Sequence, residues 1–239
     1  MSTLAVISAG LGQPSSTRLL ADRLAAATAD ALRPDTLSPD TLSPDTLSPD
    51  ALGSDALGSD APGRDVAIEV IELRDHAHAM VDATLTGFPA GTFRAAVETV
   101  TNADGLIAVT PVFNASYSGL FKTFFDVVER DSLDGKPVLL GATGGTERHS
   151  LAIDYAMRPL FAYLRAAVVP TAVYAASEDW GGAGGSEGGA SGQADPLAER
   201  VARAGVELAA LMDARPAPAK PDPYDTPVPF EDLLSASGR

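Results

Sequence analysis

The sequence predicts an α/β protein built on a doubly wound, five-stranded parallel sheet in a three-layer α/β/α sandwich. Three observations predict it. Short apolar, β-rich runs recur along the chain, as expected of strands buried on both faces. Segments of helical periodicity separate them. Loops rich in glycine and hydroxyl residues follow three of the strands, where open parallel sheets bind ligands.

The first strand is Leu4-Ala-Val-Ile-Ser8, followed by the loop Ala9-Gly-Leu-Gly-Gln-Pro-Ser-Ser-Thr17. Arg18–Leu32 then reads as a helix with Leu19, Leu20 and Leu24 on its apolar side and Ser15 or Ser16 as N-cap. From Asp35 to Arg64 a five-residue period takes over: Asp-Thr-Leu-Ser-Pro, then Asp-Ala-Leu-Gly-Ser. One leucine per unit gives little to bury, so residues 35–64 read as a low-complexity insert without chemistry. Val66–Leu73 is the second strand, and His76–Leu85 and Gly91–Asn102 are helices. Gly105-Leu-Ile-Ala-Val-Thr110 is the central strand, which Pro111 is expected to stop because it has no N–H. A helix carrying Phe121, Phe124, Phe125 and Val128 follows. Lys136–Ala142 is the fourth strand, Leu151–Ala166 a helix, and Ala167–Tyr174 the fifth strand, bent or placed at the edge by Pro170. A glycine-rich stretch at 178–195 precedes a closing helix, Pro196–Asp213. Residues 1–214 thus form a single domain, and 215–239 a Pro/Asp-rich tail.

Composition narrows the function. The 239 residues contain no cysteine, which excludes disulfides, thiolate metal sites and thiol nucleophiles. A net charge of −15 argues against nucleic-acid or anionic-membrane partners. No run approaches the roughly 18 apolar residues of a membrane span, and the first residues lack a signal peptide's basic region. A cytoplasmic location is expected. There is no Walker lysine motif, Gly-x-Ser-x-Gly elbow or HExxH, and Gly10-x-Gly12-x-x-Ser15 lacks the third glycine of a dinucleotide fingerprint.

Three loops remain: Gly10–Thr17, Pro111–Ser118 and Thr143–Gly145. In a doubly wound sheet the first, third and fourth strands are neighbours at the switch point, so one ligand would touch all three. The N–H groups of the first helix, its dipole and the hydroxyls of Ser15, Ser16 and Thr17 suit a phosphate, although the serines would equally cap the helix. Gly144-Gly145 either lets a flat ring approach or simply turns the chain. Phe121, Phe124 and Phe125, at i, i+3 and i+4, read as core. Lys122 is either a solvated charge or a draw for nicotinamide phosphates, and His149 either a surface histidine or a substrate contact.

LAVISAGLGQPSSTRLL, TPVFNASYSGLFKTFFD and GATGGTERH resemble the three flavin loops of the NAD(P)H-dependent FMN reductase family. The likeness covers most of Leu4–Trp180, and is closer to the actinobacterial branch that partners luciferase-like monooxygenases. It implies a flavodoxin-like fold, non-covalent FMN, and hydride transfer from NADPH or NADH to the flavin. Ser8, Ser15, Ser16 and Thr17 would then surround the FMN phosphate. Pro111, Val112, Phe113 and Asn114 would edge the isoalloxazine and ribityl chain, with Thr143, Gly144 and Gly145 on the ring's other side. No catalytic acid or base is implied, and no metal. A homodimer and a monooxygenase receiving reduced flavin are implied as partners. The chain departs from the family in having Leu11-Gly12-Gln13 where arginine is common, and Phe113 where tyrosine is common. Other roles on this scaffold are a flavodoxin-type electron carrier, a quinone, azo or metal-oxyanion reductase, and a partner-binding protein working through its repeat and tail.

Overall fold

The computed structural model describes residues 2–33, 66–183 and 195–214. The 35–64 insert and the 215–239 tail, with the domain limits drawn from them, lie outside the described residues. The backbone of the sheet is parallel and runs in the order β2-β1-β3-β5-β6. Its strands are β1 (Ser2–Ser8), β2 (Val66–Glu72), β3 (Gly105–Phe113), β5 (Pro137–Gly144) and β6 (Ala167–Val168). The chain leaves β1, adds β2 on one side and returns to place β3 on the other, so the strand order reverses between β1 and β3. This is the flavodoxin-like order with its switch point at β1/β3.

Side chains alternate between two cores. Leu4 and Val6 of β1 with Ile107 and Val109 of β3 pack under α1 (Ser16–Leu32) and α6 (Pro196–Ala214). Ala5, Ile7, Leu106, Ala108, Val138 and Leu140 point to the opposite face. There they meet α2 (Ala77–Thr86), α3 (Gly91–Asn102), α4 (Gly119–Val127) and α5 (Arg158–Tyr163). Helices on both faces explain why the strands are continuous apolar runs rather than alternating ones. Phe121, Phe124 and Phe125 are buried as the spacing indicated; Phe124 packs edge-on against Phe93 and Phe125 against Phe161.

Three expectations are corrected. Pro111 does not stop β3, which continues to Phe113 with Pro111 opposite Thr143 of β5. The carbonyl of Val109 accepts from Ala9 N at 2.9 Å, so hydrogen-bonding groups two residues later face the same side. There β1 has already turned away, and the missing N–H of Pro111 interrupts nothing.

Second, the sheet has seven strands rather than five. The expected last strand is split at Pro170 into β6 and β7 (Val173–Ala176), both paired with β5. In addition β4 (Ser116–Tyr117) folds back antiparallel on the end of β3. Asn114 (φ 50°) and Ala115 (φ 65°) form the turn between them. Both are left-handed, as a tight hairpin requires; asparagine tolerates this better than alanine does. Third, the helix expected over 151–166 is a π-helical turn, Ile153–Met157, followed by α5. Pro159 at the start of α5 has no N–H to give the preceding turn.

Candidate functional site

The carboxyl ends of β1, β3 and β5 bring the three expected loops around one cavity of about 770 Å³, within the range of small-molecule and cofactor sites. From the first loop Ser15 and Ser16 line it, from the second Pro111, Val112 and Phe113, and from the third Thr143, Gly144 and Gly145. Ser8, Thr17 and Asn114 are not part of the lining. Ser8 is fully buried at the end of β1, and its Oγ has no hydrogen-bond partner among the described residues. Thr17 lies beneath the lining, where its Oγ1 is 2.9 Å from Thr143 Oγ1 and ties the first loop to the third. Lys122 is paired with Asp126 along α4, which holds its ammonium charged, and His149 is exposed in a short turn.

Each loop is fixed by local chemistry. Ser15 is the N-cap of α1, its Oγ accepting from Arg18 N at 3.2 Å. In the second loop Ser118 caps α4 by accepting from Phe121 N, and its own N–H donates to Thr110 Oγ1 at 3.0 Å. In the third, the Tyr174 hydroxyl donates to Thr146 O at 2.7 Å. Burial and nearby Asp179 push its ionisation above the ordinary tyrosine range, so it stays a donor.

Sequence reasoning missed five lining residues: Pro14, Leu19, Arg23, Ser177 and Trp180. Leu19 and Arg23 lie on the face of α1 that also carries Ser16, and spacing alone could have grouped them. Ser177 and Trp180 follow β7, next to a glycine-rich stretch where no motif marks them.

Reading along the chain also missed the brace behind the first loop. That loop lacks arginine, yet Arg74, just past β2, donates from Nη1 to Gly12 O at 2.9 Å. Arg74 Nε lies 3.7 Å from Glu72 Oε2, while Glu72 Oε1 accepts from Arg18 Nη1 at 2.7 Å. Bonds to Asp22 and Glu72 raise the Arg18 pKa further above an already high value, so it remains a cation. One carboxylate thus joins α1 to the loop through two guanidiniums. Arg74→Ala should free Gly12 and weaken binding of a phosphate ligand roughly three- to tenfold, in proportion to one charge-assisted hydrogen bond. Titration of the variant with FMN checks this; affinity within twofold of the parent would show that the brace is not needed.

Residues 2–181 match the sequence model of a family described as NADPH-dependent FMN reductase. The chain belongs to this family. Among relatives, an FMN reductase (NADPH) of Pseudomonas aeruginosa is 44% identical over 112 residues, covering 46% of this chain and 60% of the relative. The NADH-dependent FMN reductase SfnF of Pseudomonas putida is 50% identical over 82 residues, covering 34% and 44% respectively. The matched stretches thus span less than two thirds of these curated relatives. An X-ray structure of an oxidoreductase from Corynebacterium diphtheriae superposes with a TM-score of 0.70 at 39% identity, over 90% of this chain and 99% of that one.

The cavity of this FMN reductase family member has features that fit the flavin. Hydroxyls stand at a helix N-terminus, a phosphate's natural receptor. A Cβ built on Gly145 would meet nothing within 4 Å, so the backbone there is open to a flat ring. Val112 and Phe113 add apolar surface to the same lining. Among the described residues no His, Asp or Glu cluster could hold a metal, and no helix is long and apolar enough to cross a membrane.

Proposed function

We propose that the chain binds FMN non-covalently across the three loops and reduces it with NADPH or NADH. The observation that carries this reading is that one cavity touches all three loops, in a member of the FMN reductase family. Ser15 and Ser16, with the start of α1, receive the phosphate, while Ser8 and Thr17 support the cradle from behind. Pro111, Val112 and Phe113 edge the ring and ribityl chain, with Asn114 shaping the turn behind them, and Thr143, Gly144 and Gly145 cover the other side. Bound FMN would supply the two-electron chemistry. The protein's residues bind and orient it and leave a face for nicotinamide, so no protein acid or base is assigned.

Delivery of reduced flavin to a luciferase-like monooxygenase, a homodimeric state and a cytoplasmic location belong to the same proposal. The purified chain should oxidise NADPH or NADH only when FMN is added, followed by nicotinamide absorbance. An electron carrier of the same fold would need a separate reductase, so failure with both nicotinamides would sink the enzymatic reading.

A further inference from the structure

The cavity is longer than its three loops. Along α1 the face that begins at Ser16 continues through Leu19 to Arg23, and all three residues line the cavity. Seven residues make almost two turns, so Arg23 sits about 10 Å further along the helix than Ser16, on nearly the same face. Leu19 is exposed, although the neighbouring Leu20 is fully buried. At the far end the Arg23 guanidinium lies 4.9 Å from the ring centre of Trp180. Trp180 is held by the turn after β7. Asp179 accepts there from Ala176 N at 2.7 Å and from Arg200 Nη2 at 3.2 Å, so the indole is carried on a pinned segment.

The charge of Arg23 stands out. Arg18 and Arg74 are each paired with carboxylates, whereas Arg23 has no carboxylate partner among the described residues. In a chain of net charge −15, a guanidinium lining a cavity without a carboxylate is suited to an anionic ligand. Its planar group laid over an indole offers flat stacking surface and an edge of N–H donors. An aromatic base with a phosphate attached matches both, since bases stack on such surfaces irrespective of identity.

We infer that Leu19, Arg23 and Trp180 form a subsite for an adenylate, the adenosine monophosphate half of a dinucleotide whose other half lies in the loop site. This rests on the FMN reading. The adenylate would belong either to FAD, running on from the phosphate cradle along α1, or to the nicotinamide dinucleotide.

Arg23 is half-buried on a helix, and alanine is a better helix former, so Arg23→Ala should fold. Trp180 is the chain's one tryptophan, and its fluorescence reports the subsite directly. In one arm the apoprotein is titrated with FMN and with FAD; in the other the FMN-loaded protein is titrated with ADP-ribose. Arg23→Ala should weaken one dinucleotide-type ligand about tenfold, with FMN affinity unchanged within twofold and the tryptophan response to that ligand reduced. Arg23→Lys should recover only part of the loss, because it keeps the charge but not the plane.

An effect on FAD assigns the subsite to the flavin, and an effect on ADP-ribose to the nicotinamide nucleotide. No effect on either, or an equal effect on FMN, overturns the inference while leaving the FMN reading intact. Failure of the parent chain to bind FMN would instead overturn that reading, and the inference with it.

Discussion

Gly145→Val should weaken the proposed FMN binding at least roughly tenfold and leave the stability of the fold unchanged. A Cβ at this position meets nothing within 4 Å, and Gly145 is not among the glycines with positive φ. Valine is therefore accepted by the backbone, and replacing glycine restricts the unfolded chain, so Tm should stay within about 2 °C of the parent. The open space around that Cβ is the cavity itself, which Gly145 lines together with Thr143 and Gly144. Filling it with an isopropyl group where a ring must lie is overpacking, at about 1–3 kcal/mol, so FMN affinity should fall by roughly tenfold to a hundredfold or more. Flavin fluorescence titration reads the affinity and thermal melting the fold. Gly144→Ala is the contrasting control. Its Cβ would lie 2.0 Å from the Tyr174 hydroxyl and displace that group from Thr146 O, so stability should fall there. Unchanged FMN binding in Gly145→Val would mean that the flavin does not lie against the third loop.

What the sequence made legible follows from which forces are local. Strands buried on both faces announce themselves as apolar runs, and β1, β2, β3 and β5 lie within a few residues of where those runs placed them. The cap at Ser15 and the phenylalanine stripe of α4 are equally local, set by spacings of three and four residues. The loops met because doubly wound topology leaves few alternatives. Non-local features were hidden. The Arg74 brace crosses 62 residues to reach Gly12, and Trp180 joins the cavity from a turn that carries no motif. Pro111 misled because the effect of a missing N–H depends on which neighbour that N–H would have faced, and the neighbour here had already ended.

Lys136 shows the same limit, and it carries the largest expected loss of stability. In sequence it is simply the first residue of the run read as the fourth strand, and nothing nearby marks a role for it. In the structure it precedes β5, is 1% exposed, and sits at the end of the sheet away from the cavity. Its Nζ donates to the carbonyls of Val100 and Thr101, each at 2.9 Å, and of Ala103. These are the last carbonyls of α3 and its cap, which have no partner within the helix and carry the negative end of its dipole. Lys136→Met keeps the length of the side chain but removes every donor, leaving buried carbonyls without their ammonium. Orphaned buried groups cost about 1–3 kcal/mol each, and water can recover part of that, so a net loss of about 3 kcal/mol is expected. For a chain of this size that lowers Tm by roughly 6–12 °C. FMN affinity, measured well below the new midpoint, should be unchanged, because Lys136 precedes β5 whereas the cavity lies at that strand's carboxyl end. A melting temperature within 2 °C of the parent would show that the carbonyls are served by another donor and that the ammonium is dispensable.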